Sequence, residues 1–200
     1  MAEDQTTAML ILASSSPRRR TLLSEAGVAF RAVDPPVDEP AELAGCLSPQ
    51  RLAEALAYFK ARAVAERHSE AMVLGADTVV AAGGDVLGKP ENADHARAML
   101  ACLSGTRHQV ITGVALLGPG RRRMIRSAVT HVTMKPMSEK DIDAYIASGE
   151  WQGKAGAYAI QETADRYIEK VEGSFSNVVG LPMELTLAML EQSSKLQTES

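Results

Sequence analysis

The run Met72–Ala82 constrains this chain more than any other stretch, because it is continuously apolar except for Asp77 and Thr78 near its middle. Such a run, too short for a membrane span, predicts a strand buried in a sheet. A carboxylate in that strand loses its hydration, which costs several kcal/mol unless something compensates. Asp77 therefore calls for a metal ion, a basic partner or a catalytic role, or else for a bulge where local N–H groups cap it. Gly83-Gly84-Asp85 then turns the chain back into Val86-Leu87 as a hairpin.

The remaining elements alternate around that strand. Met9–Ala13 is a short buried strand that breaks at Ser14-Ser15-Ser16-Pro17, where hydroxyls and a proline mark a helix start. That helix should stop at Gly27, and Val28–Val33 reads as the next strand, followed by a Pro-rich loop. Ser48-Pro49 opens a longer helix whose buried stripe is expected at Leu52, Leu56, Phe59 and Ala63. Asn92 caps a helix to about Leu103; His108–Leu117 and Met124–Met134 read as strands; Ser138 starts a helix that ends near Gly149. Extended pieces follow around Tyr158 and Tyr167–Val171, then a turn, a strand and a helix start across Gly173–Pro182, and a last helix with Leu185, Met189 and Leu190 inward. The class is α/β, a mixed twisted sheet flanked by helices, since hairpins argue against an all-parallel sheet. At 200 residues a single domain over 9–192 is expected, with a disordered tail at 1–8 and a frayed polar tail at 193–200.

Composition removes several function classes. With 21 basic against 25 acidic side chains the net charge is −4, and there are only one Trp, four Tyr and three Phe, a poor outfit for gripping nucleic acid. No apolar run approaches the ~18–20 residues of a bilayer span, so no membrane partner is expected. The first residues carry Glu3 and Asp4 and no basic segment, unlike a secretory signal, so a cytoplasmic location is expected. Cys46 and Cys102 lack any CxxC or His spacing and read as buried or half-buried apolar residues, not as a disulfide or zinc site.

Several short segments carry chemistry-bearing residues. Ser14-Ser15-Ser16-Pro17-Arg18-Arg19-Arg20 puts free backbone N–H groups, the positive end of a helix dipole and guanidinium groups together, a cradle suited to phosphate as well as an ordinary capped helix. Gly88-Lys89-Pro90 aims an ammonium from a rigid turn, although turn lysines are commonly just solvated. Lys60, beside the apolar stripe of its helix, and Asp38-Glu39, on the Pro-rich loop, are weaker candidates. Lys154–Gln161 combines small residues, which let a flat ligand approach the backbone, with an amide at Gln161. Arg121-Arg122-Arg123 reads as a solvated hairpin tip, and the glycines of Gly173–Pro182 as structural.

In order along the chain, LASSSPRR (Leu12–Arg19), VDE (Val37–Glu39), LAYFKA (Leu56–Ala61), LGADTVV (Leu74–Val80), GKP (Gly88–Pro90), SGTRHQVITG (Ser104–Gly113), KAGAYAIQ (Lys154–Gln161) and NVVGLP (Asn177–Pro182) resemble the Maf family of nucleoside triphosphate pyrophosphatases. The two aromatics before Lys60 are a small departure from the family's usual pattern. The resemblance implies an elongated α/β fold like that of inosine-triphosphate pyrophosphatases, a divalent metal, a frequent homodimer, and hydrolysis between the α and β phosphates with release of pyrophosphate. It implies that Arg19, Lys60 and Lys89 hold the phosphates, backed by the helix start at Ser14, Ser15 and Ser16. It also implies that Glu39 and Asp77 hold Mg²⁺ or Mn²⁺ and that Asp77 is the proton acceptor. The residues alone leave the reverse open, with Glu39 as base and Asp77 as ligand.

Three positions separate two branches of that family. Arg, Thr and Gln accompany dTTP and UTP, whereas Trp, Gln and Glu accompany 7-methyl-GTP; this chain carries Arg18, Thr78 and Gln161. The chemistry agrees, since a cationic methylated guanine favours an indole and a carboxylate. Uracil and thymine, with two carbonyls and one N–H, suit a guanidinium and an amide. The resemblance thus implies a dTTP/UTP pyrophosphatase, with a 7-methyl-GTP pyrophosphatase and a non-catalytic regulator of septum formation as the alternatives.

Overall fold

A computed structural model describes residues 9–36, 47–161 and 163–198. Strand β1 (Leu10–Ala13) leads into helix α1 (Pro17–Glu25) and a short β2 (Arg31–Val33). Helix α2 (Pro49–Ala65) precedes the long β3 (Met72–Ala82), the hairpin strand β4 (Asp85–Leu87) and helix α3 (Ala93–Leu103). Strands β5 (Arg107–Leu117) and β6 (Arg123–Met134) form the second hairpin, followed by α4 (Glu139–Ser148), β7 (Ile168–Glu172), α5 (Phe175–Val179) and α6 (Met183–Thr198). Cap chemistry sets the helix starts: the Ser48 hydroxyl accepts from the Arg51 N–H, Asn92 from the His95 N–H, and Ser138 and Asp141 form a reciprocal capping box.

Among the described residues the strands form one mixed sheet in the order β2-β1-β3-β5-β6-β7, with β4 added to β3. β1 runs parallel to both β2 and β3, and every other pair is antiparallel. Helix α2 covers one face. It lies unusually close because the sheet offers glycines beneath it: a Cβ on Gly75 would sit 2.4 Å from the Ala57 carbonyl oxygen, and one on Gly113 would sit 2.2 Å from that of Ala53. The opposite face carries two clusters. One joins α1 and α6 through Leu23, Leu181 and Met189; the other joins α3 and α4 through Met99, Leu103, Ile142 and Tyr145.

The structure departs from the sequence reading at particular places. Helix α2 buries Leu52, Ala53, Leu56, Ala57, Lys60, Ala61 and Val64, while Phe59 stays exposed. The glycines below accept only alanine-sized neighbours, and that rotates the stripe and turns Lys60 inward. Strand β2 begins at Arg31, not Val28, because the Val28 N–H closes α1 by donating to the Leu23 carbonyl at 3.1 Å. The segment read as a strand after Gly173 is helical, capped by the Ser174 hydroxyl, which accepts from the Asn177 N–H. The end of the chain expected to fray carries the last turns of α6, where buried Ser193 points its hydroxyl at the Met72 sulfur, 3.7 Å away. Cys102 is exposed on α3, and Cys46 lies outside the described residues. No helix among the described residues is long and apolar enough to cross a membrane.

Candidate active site

A gap in the sheet makes the site. β5 covers one edge of β3 from Val73 to Ala81. The other edge is shared: β1 covers Met72–Gly75, and β4 begins only at Val80. Ala76–Val79 is thus left without a strand on that side among the described residues. The chain departs from the carboxyl end of β1 at this point, the place where crevices open in sheets with parallel strands. A cleft of about 680 Å³ fills the gap.

Because successive strand residues point to opposite faces, Asp77 and Thr78 bring both faces of the sheet to the one opening. Asp77 lies on the α2 side, where its carboxylate forms a buried ion pair with the Lys60 ammonium. A basic partner is therefore what compensates this carboxylate, and β3 stays in unbroken register with β5 through it. The close seating of α2 on Gly75 and Gly113 lets Lys60 reach it. Thr78 lies on the α1 side, where its hydroxyl oxygen accepts from Arg19 Nη2 at 3.1 Å.

The predicted residues divide as follows. Ser15, Ser16, Arg18 and Arg19 line the cleft from the start of α1, with Lys60, Asp77 and Thr78 at its floor. Lys89 lines it from the turn after β4, and Gln161 from the segment after the 3-10 turn Ala155–Ala157. That turn is tied to the lysine turn by the Gly156 N–H, which donates to the Gly88 carbonyl at 3.0 Å. Ser14 is buried in the wall, and its hydroxyl accepts from the Ser16 N–H and from Arg19 Nη1 at 3.2 Å each. Glu39 lies outside the described residues. Among the described residues, no three His, Cys, Asp or Glu side chains gather as a metal cluster.

Three further side chains line the cleft without having been singled out. Lys154 is a nearly buried lysine in its wall, Asp34 holds Arg20 at 2.9 Å, and Tyr158 packs edge-on against His108. Lysine and tyrosine at 154 and 158 stand inside a motif already noted; only their burial beside the cleft marks them out. Ala157, next to Tyr158, holds φ at +62°, a left-handed conformation that costs a non-glycine residue roughly 1–2 kcal/mol and is common at functional sites.

His108 is buried and shares a 2.8 Å hydrogen bond between Nε2 and the Tyr158 hydroxyl. Burial holds its imidazole down to about 4, so it is neutral at neutral pH, and burial pushes the Tyr158 phenol up. The unfolded chain binds a proton at His108 below about 6.5 while the native one does not, so stability falls as pH drops from 6.5 towards 4. The gap corresponds to roughly 3 kcal/mol. Urea unfolding at pH 7 and pH 4.5 should show a loss of that order, largely absent in His108→Gln; an equal acid loss in the variant would place its origin elsewhere.

The chain matches the family described as "Maf-like protein" over residues 9–193. It is 49% identical over 183 residues to a protein of Symbiobacterium thermophilum named dTTP/UTP pyrophosphatase, with 92% of this chain and 93% of that protein covered. It is 47% identical over 184 residues to a Paramagnetospirillum magneticum protein of the same name, with 92% and 96% covered. Among solved structures, the Ham1 protein of Staphylococcus aureus aligns with a TM-score of 0.48 at 12% identity, covering 92% of this chain and 99% of that one.

Proposed function

The chain belongs to the Maf family, and from that premise we propose that it is a nucleoside triphosphate pyrophosphatase acting on dTTP and UTP, releasing the monophosphate and pyrophosphate. One observation carries this reading. Five cationic side chains, Arg18, Arg19, Lys60, Lys89 and Lys154, line a single cleft with only two described carboxylates, Asp34 and Asp77. Such an excess of positive charge suits a polyphosphate, whose transfer chemistry depends mainly on positioning and charge neutralisation.

In this reading Lys89 and Arg19 hold the phosphate chain, and the backbone N–H groups at the start of α1 face it from the positive end of the helix dipole. Asp77 takes the proton from the attacking water, for which a carboxylate within hydrogen-bond reach is the suitable group. Lys60 orients that carboxylate through the ion pair inside an otherwise apolar strand. The donor set fits a hard divalent cation in kind. Asp77 offers a carboxylate to the cleft, and Mg²⁺-like ions commonly take one or two protein carboxylates and complete their shell from water and phosphates. Asp77 and Glu39 would hold it; when bound, Mg²⁺ or Mn²⁺ would offset phosphate charge and make a nearby water more acidic.

Arg18 and Gln161 face the same cleft and offer a guanidinium and an amide to the two carbonyls and one N–H of a pyrimidine. The C5-methyl is worth only ~1–3 kcal/mol in an apolar pocket, roughly 10–200-fold at most, so strong discrimination between dTTP and UTP is not expected. Arg18→Ala or Gln161→Ala should lower the preference for dTTP over CTP by about tenfold while leaving the kcat of the best nucleotide within a few-fold. Equal losses on every nucleotide would mean that these side chains grip the triphosphate instead. The reading as a whole is tested by assaying pyrophosphate release from dTTP, UTP, CTP and 7-methyl-GTP with Mg²⁺, with Mn²⁺ and with excess EDTA. Rapid, EDTA-sensitive turnover of dTTP and UTP is expected, and a preference for 7-methyl-GTP would overturn it.

A further inference from the structure

Arg19 has each of its three guanidinium nitrogens held by a hydrogen bond at the cleft. Its Nε donates to the Gly180 carbonyl at 2.7 Å, Nη1 to the Ser14 hydroxyl at 3.2 Å and Nη2 to the Thr78 hydroxyl at 3.1 Å. Behind Thr78 the bonding continues away from the cleft. Thr78 and Thr112, directly opposite one another on β3 and β5, share a hydrogen bond of 2.9 Å between hydroxyls. Thr112, fully buried, donates at 3.2 Å to the carbonyl of Asn177 on α5.

The direction of this relay is set from both ends. A guanidinium can only donate and a carbonyl can only accept. The single Thr112 proton goes to Asn177, so the Thr78 proton points to Thr112, and the Thr78 oxygen accepts from Arg19. The far end is anchored in turn. The buried Asn177 amide donates to the Val110 carbonyl and to the Thr130 hydroxyl, each at 3.0 Å, and Thr130 donates to the Ser174 carbonyl at 3.0 Å. These bonds seat the short helix α5 on the sheet, and its last residue is followed by Gly180, whose carbonyl receives Arg19 Nε.

We infer that Thr112 and Asn177 are positioning residues for the Arg19 guanidinium, acting on it along two routes, through the Thr78 hydroxyl and through the Gly180 carbonyl. The inference rests on the reading of Arg19 as a phosphate-binding residue for its effect on turnover, but not for its effect on the guanidinium itself. It assigns a role to two motif residues that otherwise carry none, the next-to-last residue of SGTRHQVITG, Thr112, and the Asn that opens NVVGLP. A relay of threonine hydroxyls, half-buried at Thr78 and fully buried at Thr112 and Thr130, suits this task, since each member fixes the rotamer of the next.

Thr112→Val keeps the shape of the side chain and removes the hydroxyl; Thr112→Ser keeps the hydroxyl. In ¹⁵N-labelled protein the Arg19 Nε–H, identified by its disappearance in Arg19→Lys, should exchange about tenfold faster with solvent in Thr112→Val and return to the native rate in Thr112→Ser. In turnover, Thr112→Val should raise KM for dTTP about tenfold with a smaller change in kcat, and should add less than twofold to the loss already present in Arg19→Lys. An unchanged Nε–H exchange rate in Thr112→Val would overturn the inference even if hydrolysis proceeds. So would a KM effect that adds in full on the Arg19→Lys background. Should dTTP not be hydrolysed at all, the functional reading fails by itself and the exchange rate still decides the placement of Arg19.

Discussion

Asp77→Asn is expected to lower pyrophosphate release from dTTP by at least about 10³-fold, within the range that a positioned general base contributes, while the protein stays folded. The amide preserves size and can still accept a hydrogen bond from Lys60, so the strand keeps its register; what it loses is the negative charge and basicity. The loss should lie in kcat, since the phosphate-holding cations remain. It is measured as turnover at saturating dTTP beside the far-ultraviolet circular dichroism of the same sample. Turnover within tenfold of the native enzyme would remove Asp77 from the proton-accepting role and shift attention to Glu39.

Lys60→Met should give the largest effect on stability, a loss of about 3–5 kcal/mol in unfolding free energy, because it strands the Asp77 carboxylate in a buried position. Methionine fills a similar volume, so the packing of the α2 stripe is largely preserved and the effect isolates the charge. The double variant Lys60→Met/Asp77→Asn leaves neither charge and should recover more than half of that loss. Urea unfolding of the two single variants and the double variant reads the cycle directly. If Lys60→Met were as stable as the native chain, some other cation would be compensating Asp77. If the double variant recovered nothing, the loss would come from packing around α2.

Both expectations concern a pair that neither local pattern identifies. Asp77 announces itself in the sequence, because a charge in a buried strand must be compensated. Its partner does not. A heptad-like reading of α2 buries Phe59 and leaves Lys60 at the flank, and only the glycines of two strands, Gly75 and Gly113, reverse that order by admitting backbone-close contact with Ala53 and Ala57. In the same way Arg18, Arg19, Lys89 and Gln161 are visible as chemistry-bearing residues on separate segments, but Ser14 belongs to the interior of the wall and Lys154 to its lining. The helix Phe175–Val179 is a similar case. Five residues containing two adjacent valines favour a strand by local preference, and the helix is held by the Ser174 cap and by the bonds of Asn177 to two strands.

By itself the sequence determined the α/β class, the long central strand with its misplaced carboxylate, the capped helix starts and the family, since caps, turns and apolar runs act between residues a few positions apart. The tertiary structure alone decided that β1 and β4 share one edge of β3 and leave Ala76–Val79 open between them. That gap joins the two faces of the sheet, so Asp77 with Lys60 and Thr78 with Arg19 meet at one cleft although their side chains leave the strand in opposite directions. The reason is physical: which strand edge is left uncovered depends on how segments far apart in the chain pair and pack, and no local preference encodes it.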